Sequence, residues 1–287
     1  MSQTMNSSAD EWSRFAPSFI KTAADGPGML PAHNMVAAAD ALYPFSLASL
    51  VLDIGTGPGQ IPSAIFKAHG NTIPESARLV ASDFSAGIIE QLEQRKKREI
   101  EDGQSLWARL ETRICDAADL STFDDGSVSH AFAGFVLFMV PQARVALSEI
   151  RRVLNHQNGG GVFALSSWQG SEWIDLMSFV KKVRPDKVVP QLGPMWHTVE
   201  GIRGELEVAG FREVQVYSVE TYMPFEDHDE IARYILTEFP GMKRLTSDMT
   251  RQELERTRDL MVEDIKFRHP TAPSRLVGTA LVGIGRK

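Results

Sequence analysis

The chain has 287 residues, 43% hydrophobic and 23% charged, with a formal net charge of −7. That length is ample for a packed core, and the acidic balance excludes a broad electrostatic grip on nucleic acid, which needs clustered Lys and Arg. The single cysteine, Cys115, excludes an internal disulfide and suits a reducing compartment. The longest apolar run, residues 131–140, is far short of the ~20 residues that span a bilayer. The opening stretch MSQTMNSSADEW has neither the basic nor the apolar region of a secretory signal. The expectation is a soluble cytoplasmic protein with no membrane partner; the oligomeric state stays open.

Residues 1–46 precede the first strand and carry two helical patterns, an appendage to the sheet rather than a domain of their own. Residues 49–54 read as a buried strand. Ile61, Ala64, Ile65 and Ala68 then recur at i, i+3, i+4 and i+7, the stripe of an amphipathic helix. Residues 78–82 form a second strand, with Ser85 as N-cap of a helix carrying Ile88, Ile89 and Leu92. That helix contains Arg95-Lys96-Lys97-Arg98, flanked by glutamates and read as a solvated face. Residues 110–115 make a third strand. Residues 128–137 make a fourth, apolar enough to be buried on both faces. Pro141 opens a helix whose Ala143, Leu147, Ile150 and Leu154 share one side, and residues 160–166 are a fifth strand. Strands separated by helices imply right-handed crossovers and a mainly parallel sheet covered on both faces.

The later chain is mixed. Residues 198–209 read as a helix ending at Gly210, and residues 211–222 alternate like a strand. Thr250-Arg251-Gln252-Glu253 is a capping-box pattern ahead of a long helix to about residue 267. Residues 275–285 close the chain as a strand.

The stretch VLDIGTGPGQ, residues 51–60, carries the functional signal. Three alternate glycines end a hydrophobic strand, and ligands of open parallel sheets bind beyond the carboxyl ends of the strands. Glycine there permits positive φ and lets backbone amides approach a ligand. Gly59-Gln60-Ile61 lacks the Gly-Lys-Ser/Thr ending of a nucleoside-triphosphate loop. The spacing is GxGxG, not the GxGxxG of dinucleotide folds. The next two strands also end in acids. Asp83 can accept both hydroxyls of a ribose, and Asp116 can accept from an adenine amino group.

With these residues the sequence resembles the class I S-adenosylmethionine-dependent methyltransferases. VLDIGTGPG resembles the first motif of that family, ASDFS its acidic second-strand motif and CDAADL its third-strand motif. Residues 125–128 leading into HAFAGFVLFMV resemble the fourth-strand region. Glu149 to Leu154 with glycines 159–161 resembles its E-x-x-R-V-L-x-P-G-G segment, with residues 155–158 departing from it. SSWQGSEW after the fifth strand is most similar to stand-alone fungal methyltransferases of secondary metabolism. The resemblance covers residues 49–167.

It implies a Rossmann-like α/β fold: a doubly wound, seven-stranded sheet, mainly parallel, with an antiparallel last strand inserted between the fifth and sixth. It also implies an N-terminal helical lid at 1–46 and a methyltransferase domain at 47–287, with substrate-covering insertions at 168–200 and 226–268. S-adenosylmethionine is the implied cofactor. Asp53, Gly55, Thr56 and Gly57 would form its turn, Asp83 would hold the ribose, and Phe84 would lie beside the adenine unless it packs into the core. Asp116 and Ala117 would cap the adenine edge, and Ala133 and Gly134 would face the methionine moiety. No metal is expected.

The reaction expected is methyl transfer to an oxygen or nitrogen of a small, largely apolar metabolite. Two alternatives stay open: a scaffold that binds S-adenosylmethionine but catalyses a cyclisation or rearrangement, and a nucleic-acid or protein methyltransferase. The nucleic-acid form is disfavoured by charge and by Ala133-Gly134-Phe135-Val136, which lacks the signature of amino-purine methylation. His33 and His197 lie in regions that cover the active site in similar proteins and are the candidate bases; His197 is otherwise a helix-start residue beside Trp196. His130, inside a strand, reads as structural. Trp168, Trp173, Met177, Phe179, Met195 and Trp196 would either form an aromatic lid or pack helices onto the sheet, and their spacing favours packing for most of them.

Overall fold

The computed structural model describes residues 8–23, 26–239 and 241–287. Among the described residues, seven strands form one sheet: β1 (Leu50–Ile54), β2 (Arg78–Asp83), β3 (Leu110–Ile114), β4 (His130–Gly134), β5 (Val162–Ser171), β6 (Arg212–Phe225) and β7 (Ser274–Arg286). Their order is β3-β2-β1-β4-β5-β7-β6. Strands β1 to β5 pair in parallel, and β7 lies antiparallel between β5 and β6. The order reverses between β1 and β4, which makes the carboxyl end of β1 a topological switch point.

The helices are α1 (Ala9–Ala23), α2 (Met29–Leu42), α3 (Gln60–His69), α4 (Ala86–Glu101), α5 (Ala143–Val153), α6 (Glu172–Met177), α7 (Val180–Val183), α8 (Val199–Val208), α9 (His228–Thr237), α10 (Met242–Thr246) and α11 (Arg251–Arg268). Two cores follow from the two-residue period of the strands. In β1, Leu50, Leu52 and Ile54 pack with α5 and α8 on one face. Val51 packs with α2 and α3 on the other. His130 is buried in that second layer, with Nε2 against Tyr43 O at 2.7 Å and its ring stacked on Phe45; burial pushes it down to about 4.

β6 and β7 run 14 and 13 residues, against five for β1. At ~3.3 Å per residue they extend roughly 25 Å past the end of β4. This overhang supports a third core, in which Trp173, Met177, Met223, Phe225, Ile231 and Met261 join α6, α7, α9, α10 and α11 into a cap above the strand ends. The capping box before α11 is present, with Thr250 Oγ1 accepting from Glu253 N and the Glu253 carboxylate accepting from Thr250 N.

Three expectations need correction. The fourth strand is shorter than residues 128–137, because the chain leaves extended conformation at Phe135 (φ 57°) and makes a single turn at Leu137–Met139. An apolar run alone does not distinguish these. The fifth strand runs on to Ser171 because the long β7 stays beside it. The basic run in α4 is not simply a solvated face: Arg95 donates to Pro58 O and Ser63 Oγ and lies over the Trp107 ring. Residues 1–7 of the opening stretch lie outside the described residues. No helix among the described residues is long and apolar enough to cross a membrane.

Candidate active site

β1 delivers Asp53 and Ile54 to the switch point, and the chain must then turn sharply into α3. Gly55 and Gly59 take φ of +64° and +81°, and a Cβ would come within 2.4 Å of Val136 at the first and 2.8 Å of Leu92 at the second. Only glycine satisfies both the left-handed backbone and the close approach. The turn is tied to β2 by Thr56 N donating to Ser82 O at 2.8 Å and Ser82 Oγ donating to Asp53 O at 3.1 Å. The Arg95 contact to Pro58 O braces it from α4.

Two carboxyl groups are buried beside this turn. Asp53 is 3% exposed, and its Oδ2 and the Thr56 hydroxyl have no hydrogen-bond partner among the described residues. Burial pushes Asp53 up to about 8; the nearby Thr56 hydroxyl opposes this and the Asp83 charge adds to it. Asp83 accepts from Gly57 N at 3.3 Å and from Ser85 N at 3.0 Å. Burial pushes it up to about 6 against the pull of those amides. Buried carboxyls held this way, with polar atoms to spare, fit a ligand that brings an ammonium group to one and hydroxyl donors to the other.

The third strand end is positioned by α5. Glu149 accepts from Leu120 N at 3.0 Å, while Arg152 donates to Glu149, Asp125 and the carbonyls of Leu120 and Phe123. This network fixes the loop after β3. There Asp116 is exposed, its Oδ1 accepting from Ala118 N at 2.9 Å, and the buried Ala117 sits beside it.

A cavity of about 820 Å³ connects these pieces. At one end it is lined by Gly55, Thr56, Gly57, Asp83, Asp116 and Ala117, with Phe84 at its edge. Phe84 is 38% exposed, so it does not belong to the core. Asp53, Gly55, Thr56, Gly134 and Phe135 enclose a small recess beneath the turn. At the other end the cavity reaches Trp173, Met177, Met223, Phe225, Ile231 and Phe239 of the cap. Trp12 and Phe19 of α1 form part of its side, and α1 is held to α4 by the Ser13–Ser85 hydroxyl contact at 2.9 Å. Its size falls within the ordinary range of small-molecule sites, ~300–1,000 Å³.

Several expected residues lie elsewhere. Ala133 is fully buried in the core with Leu52 and Ile54, because alternation along β4 turns it away; Gly134 and Phe135 line the cavity instead. Neither candidate base reaches it. His33 is half-buried on α2, one residue past Ala32 of the small recess, and itself lines neither the recess nor the cavity. His197 precedes α8, with Nδ1 against Gly193 O at 3.0 Å, and its neighbour Trp196 packs in the core beneath that helix. Of the expected aromatic segment, Trp168, Trp173 and Met177 line the cavity, whereas Phe179 and Trp196 are core and Met195 is exposed. Sequence reasoning missed Phe135, Met139, Trp12 and Phe19. The first two lie inside an apolar run read as strand, and the last two on a helix with no motif to place it.

Residues 52–164 match the family model described as a methyltransferase domain. The chain is 32% identical over 278 residues to methyltransferase ucsB of an Acremonium species, covering 96% of this chain and 95% of that one. It is 28% identical over 204 residues to methyltransferase tpcH of Aspergillus fumigatus, covering 66% and 69%. Among solved structures, the Haloferax volcanii partner of the Trm112 methyltransferase activator superposes with a TM-score of 0.53 at 18% identity, covering 98% of this chain and 97% of that one. The YcgJ protein of Bacillus subtilis does so with a TM-score of 0.52 at 16% identity, covering 89% and 98%, and both share the fold. A likeness to ucsB that spans nearly the whole chain joins the glycine turn and acidic strand ends to a single conclusion: the chain belongs to the class I S-adenosylmethionine-dependent methyltransferases, in the company of these fungal enzymes.

Proposed function

We propose that this methyltransferase acts on an oxygen or nitrogen of a small, largely apolar metabolite, as part of fungal secondary metabolism. The observation that carries the reading is the cavity itself, which runs from the glycine turn and the acidic strand ends at Asp83 and Asp116 to apolar residues of the cap, with Asp53 in the recess beneath the turn. When bound, S-adenosylmethionine supplies a methyl group on an electrophilic sulfonium. The Asp53 carboxylate would hold its ammonium group and Asp83 its ribose hydroxyls. Asp116 and Ala117 would meet the adenine edge, with Phe84 beside it. The Gly55–Gly57 turn would pass along the amino-acid part.

The chain's own contribution is then alignment and exclusion of water. The helices of residues 1–46 and the segments 168–200 and 226–268 would cover the bound pair, a role supported by the lining residues that α1, α6 and α9 supply. No described histidine lines the cavity, so this reading assigns no imidazole base. The lone free Cys115 supports a cytoplasmic setting. The test is transfer of labelled methyl from S-adenosylmethionine into oxygen- and nitrogen-bearing apolar acceptors. Consumption of an acceptor with neither label incorporation nor S-adenosylhomocysteine formation would overturn the proposal in favour of a rearrangement scaffold.

A further inference from the structure

Phe135 is the first residue past β4, and its backbone stands at φ 57°, a left-handed value that is costly for a bulky side chain. Glycine would adopt it freely, yet the chain carries a phenyl ring there. The strained backbone is held from one side: Phe135 N donates to both the carbonyl and the hydroxyl oxygen of the buried Ser166, each at 3.1 Å. What this conformation presents is a ring lining both the recess beneath the glycine turn and the large cavity. Phe135 therefore stands at the junction between the proposed cofactor end and the cap.

The ring is buttressed. It stacks on Trp168 with centroids 4.1 Å apart and planes 20° from parallel. Trp168 meets Trp173 edge-on at 5.1 Å and 85°. Trp173 is fully buried and seated on Gly278 of β7, where a Cβ would stand 2.2 Å from its ring. Strand β4, strand β5, helix α6 and strand β7 thus fix one aromatic wall. The charged lining residues of the cap end, Glu226, Asp227, Glu230 and Arg244, are not buried, while Trp173, Met177, Met223, Phe225 and Ile231 give that end apolar lining.

We propose that Phe135 is a specificity-determining residue: its ring is the platform on which a planar aromatic acceptor stacks beside the methyl donor. The proposal rests on the methyl-transfer function and names the substrate class for that site. Offset-stacked rings gain roughly three- to tenfold in affinity beyond what burial of the same area gives. A saturated acceptor of equal size gains only the burial.

The test compares 2-naphthol with trans-2-decalol, which share a bicyclic ten-carbon skeleton, by calorimetry on the full chain saturated with S-adenosylhomocysteine. The wild type is expected to favour 2-naphthol by about three- to tenfold. Phe135→Leu, which keeps apolar bulk without the π face, is expected to bring the two within about twofold, and Phe135→Tyr to restore the preference. Should Phe135→Leu not fold, Ser166→Ala tests the same point by loosening the backbone that aims the ring, and it is expected to narrow the preference. Equal wild-type binding, a preference that survives these changes, or binding of neither alcohol would overturn the inference. Failure to bind S-adenosylhomocysteine in the same titration would instead overturn the methyltransferase reading on which it stands.

Discussion

Asp83 Oδ2 accepts the backbone N–H of Gly57, so the acid at the end of β2 holds the glycine turn at the end of β1. One carboxylate both shapes the turn and offers its remaining acceptor capacity to the cavity. Asp83→Ala should therefore lower S-adenosylmethionine affinity by about ten- to a hundredfold with the fold intact. Asp116→Ala should cost less, because its exposed carboxylate makes one ligand contact at most. Calorimetric titration of both variants checks the order. An unchanged affinity in Asp83→Ala would remove it from the site.

Asp53 gives the site a pH signature. The Asp53 and Asp83 carboxyls hold their protons more tightly in the folded chain, at about 8 and about 6, than at the ordinary aspartate value of 3.8. The ligand-free protein therefore binds more protons folded than unfolded between about pH 4 and 8, and these groups make its stability fall as pH rises through that window. A cationic ligand beside Asp53 favours the ionised form and opposes this loss. S-adenosylmethionine should raise the thermal midpoint more at pH 7.5 than at pH 5.5, and Asp53→Asn should flatten the difference. Equal shifts at both pH values in the wild type would show that Asp53 does not meet the ammonium group.

The proposed cofactor half is legible in the sequence because each of its parts has a local cause. A buried strand, a turn that only glycine can make and an acid at the next strand end are all short-range features. The acceptor half is not. Trp173 and Trp196 look alike in sequence, yet one lines the cavity and the other packs beneath α8, because the overhang of β6 and β7 decides which helices reach above the strand ends. The left-handed backbone of Phe135 depends on Ser166, from a different strand, and no periodicity within 128–137 reports it. His130 is structural, as its place inside a buried strand implies, because a histidine there has few other options.

Gly278 separates the two halves experimentally. Its added Cβ would stand 2.2 Å from the buried Trp173 ring, which would have to shift, so Gly278→Ala should destabilise the cap by about 1–3 kcal/mol. The displacement should pass through the ring contacts to Trp168 and Phe135, while the turn at Gly55 keeps its ties to Ser82 and Asp83. Acceptor affinity should fall while S-adenosylmethionine affinity stays within about twofold, measured by titrating each separately. A matching loss for the cofactor would mean that the aromatic wall and the glycine turn act as one unit.

Whether the reaction needs a base can be decided with the two histidines that sequence reasoning singles out. A positioned general base contributes ~10²- to 10⁴-fold, but only within hydrogen-bond reach of the proton it removes, about 3 Å or one water away. His197 has Nδ1 engaged with Gly193 O and sits beside a core tryptophan under α8, and His33 stands next to a residue of the small recess and lines neither the recess nor the cavity. A sulfonium is already a strong methyl donor, so a correctly aligned nucleophile in an apolar enclosure can react and lose its proton afterwards. His33→Ala and His197→Ala should each keep single-turnover rates within about threefold of wild type at saturating cofactor and acceptor. Any loss in His197→Ala should appear in thermal stability, through the freed Gly193 carbonyl, and not in the rate. A hundredfold drop in either variant with acceptor binding retained would require the segment that carries the histidine to move onto the cavity during turnover, and would replace alignment by proton transfer as the source of rate.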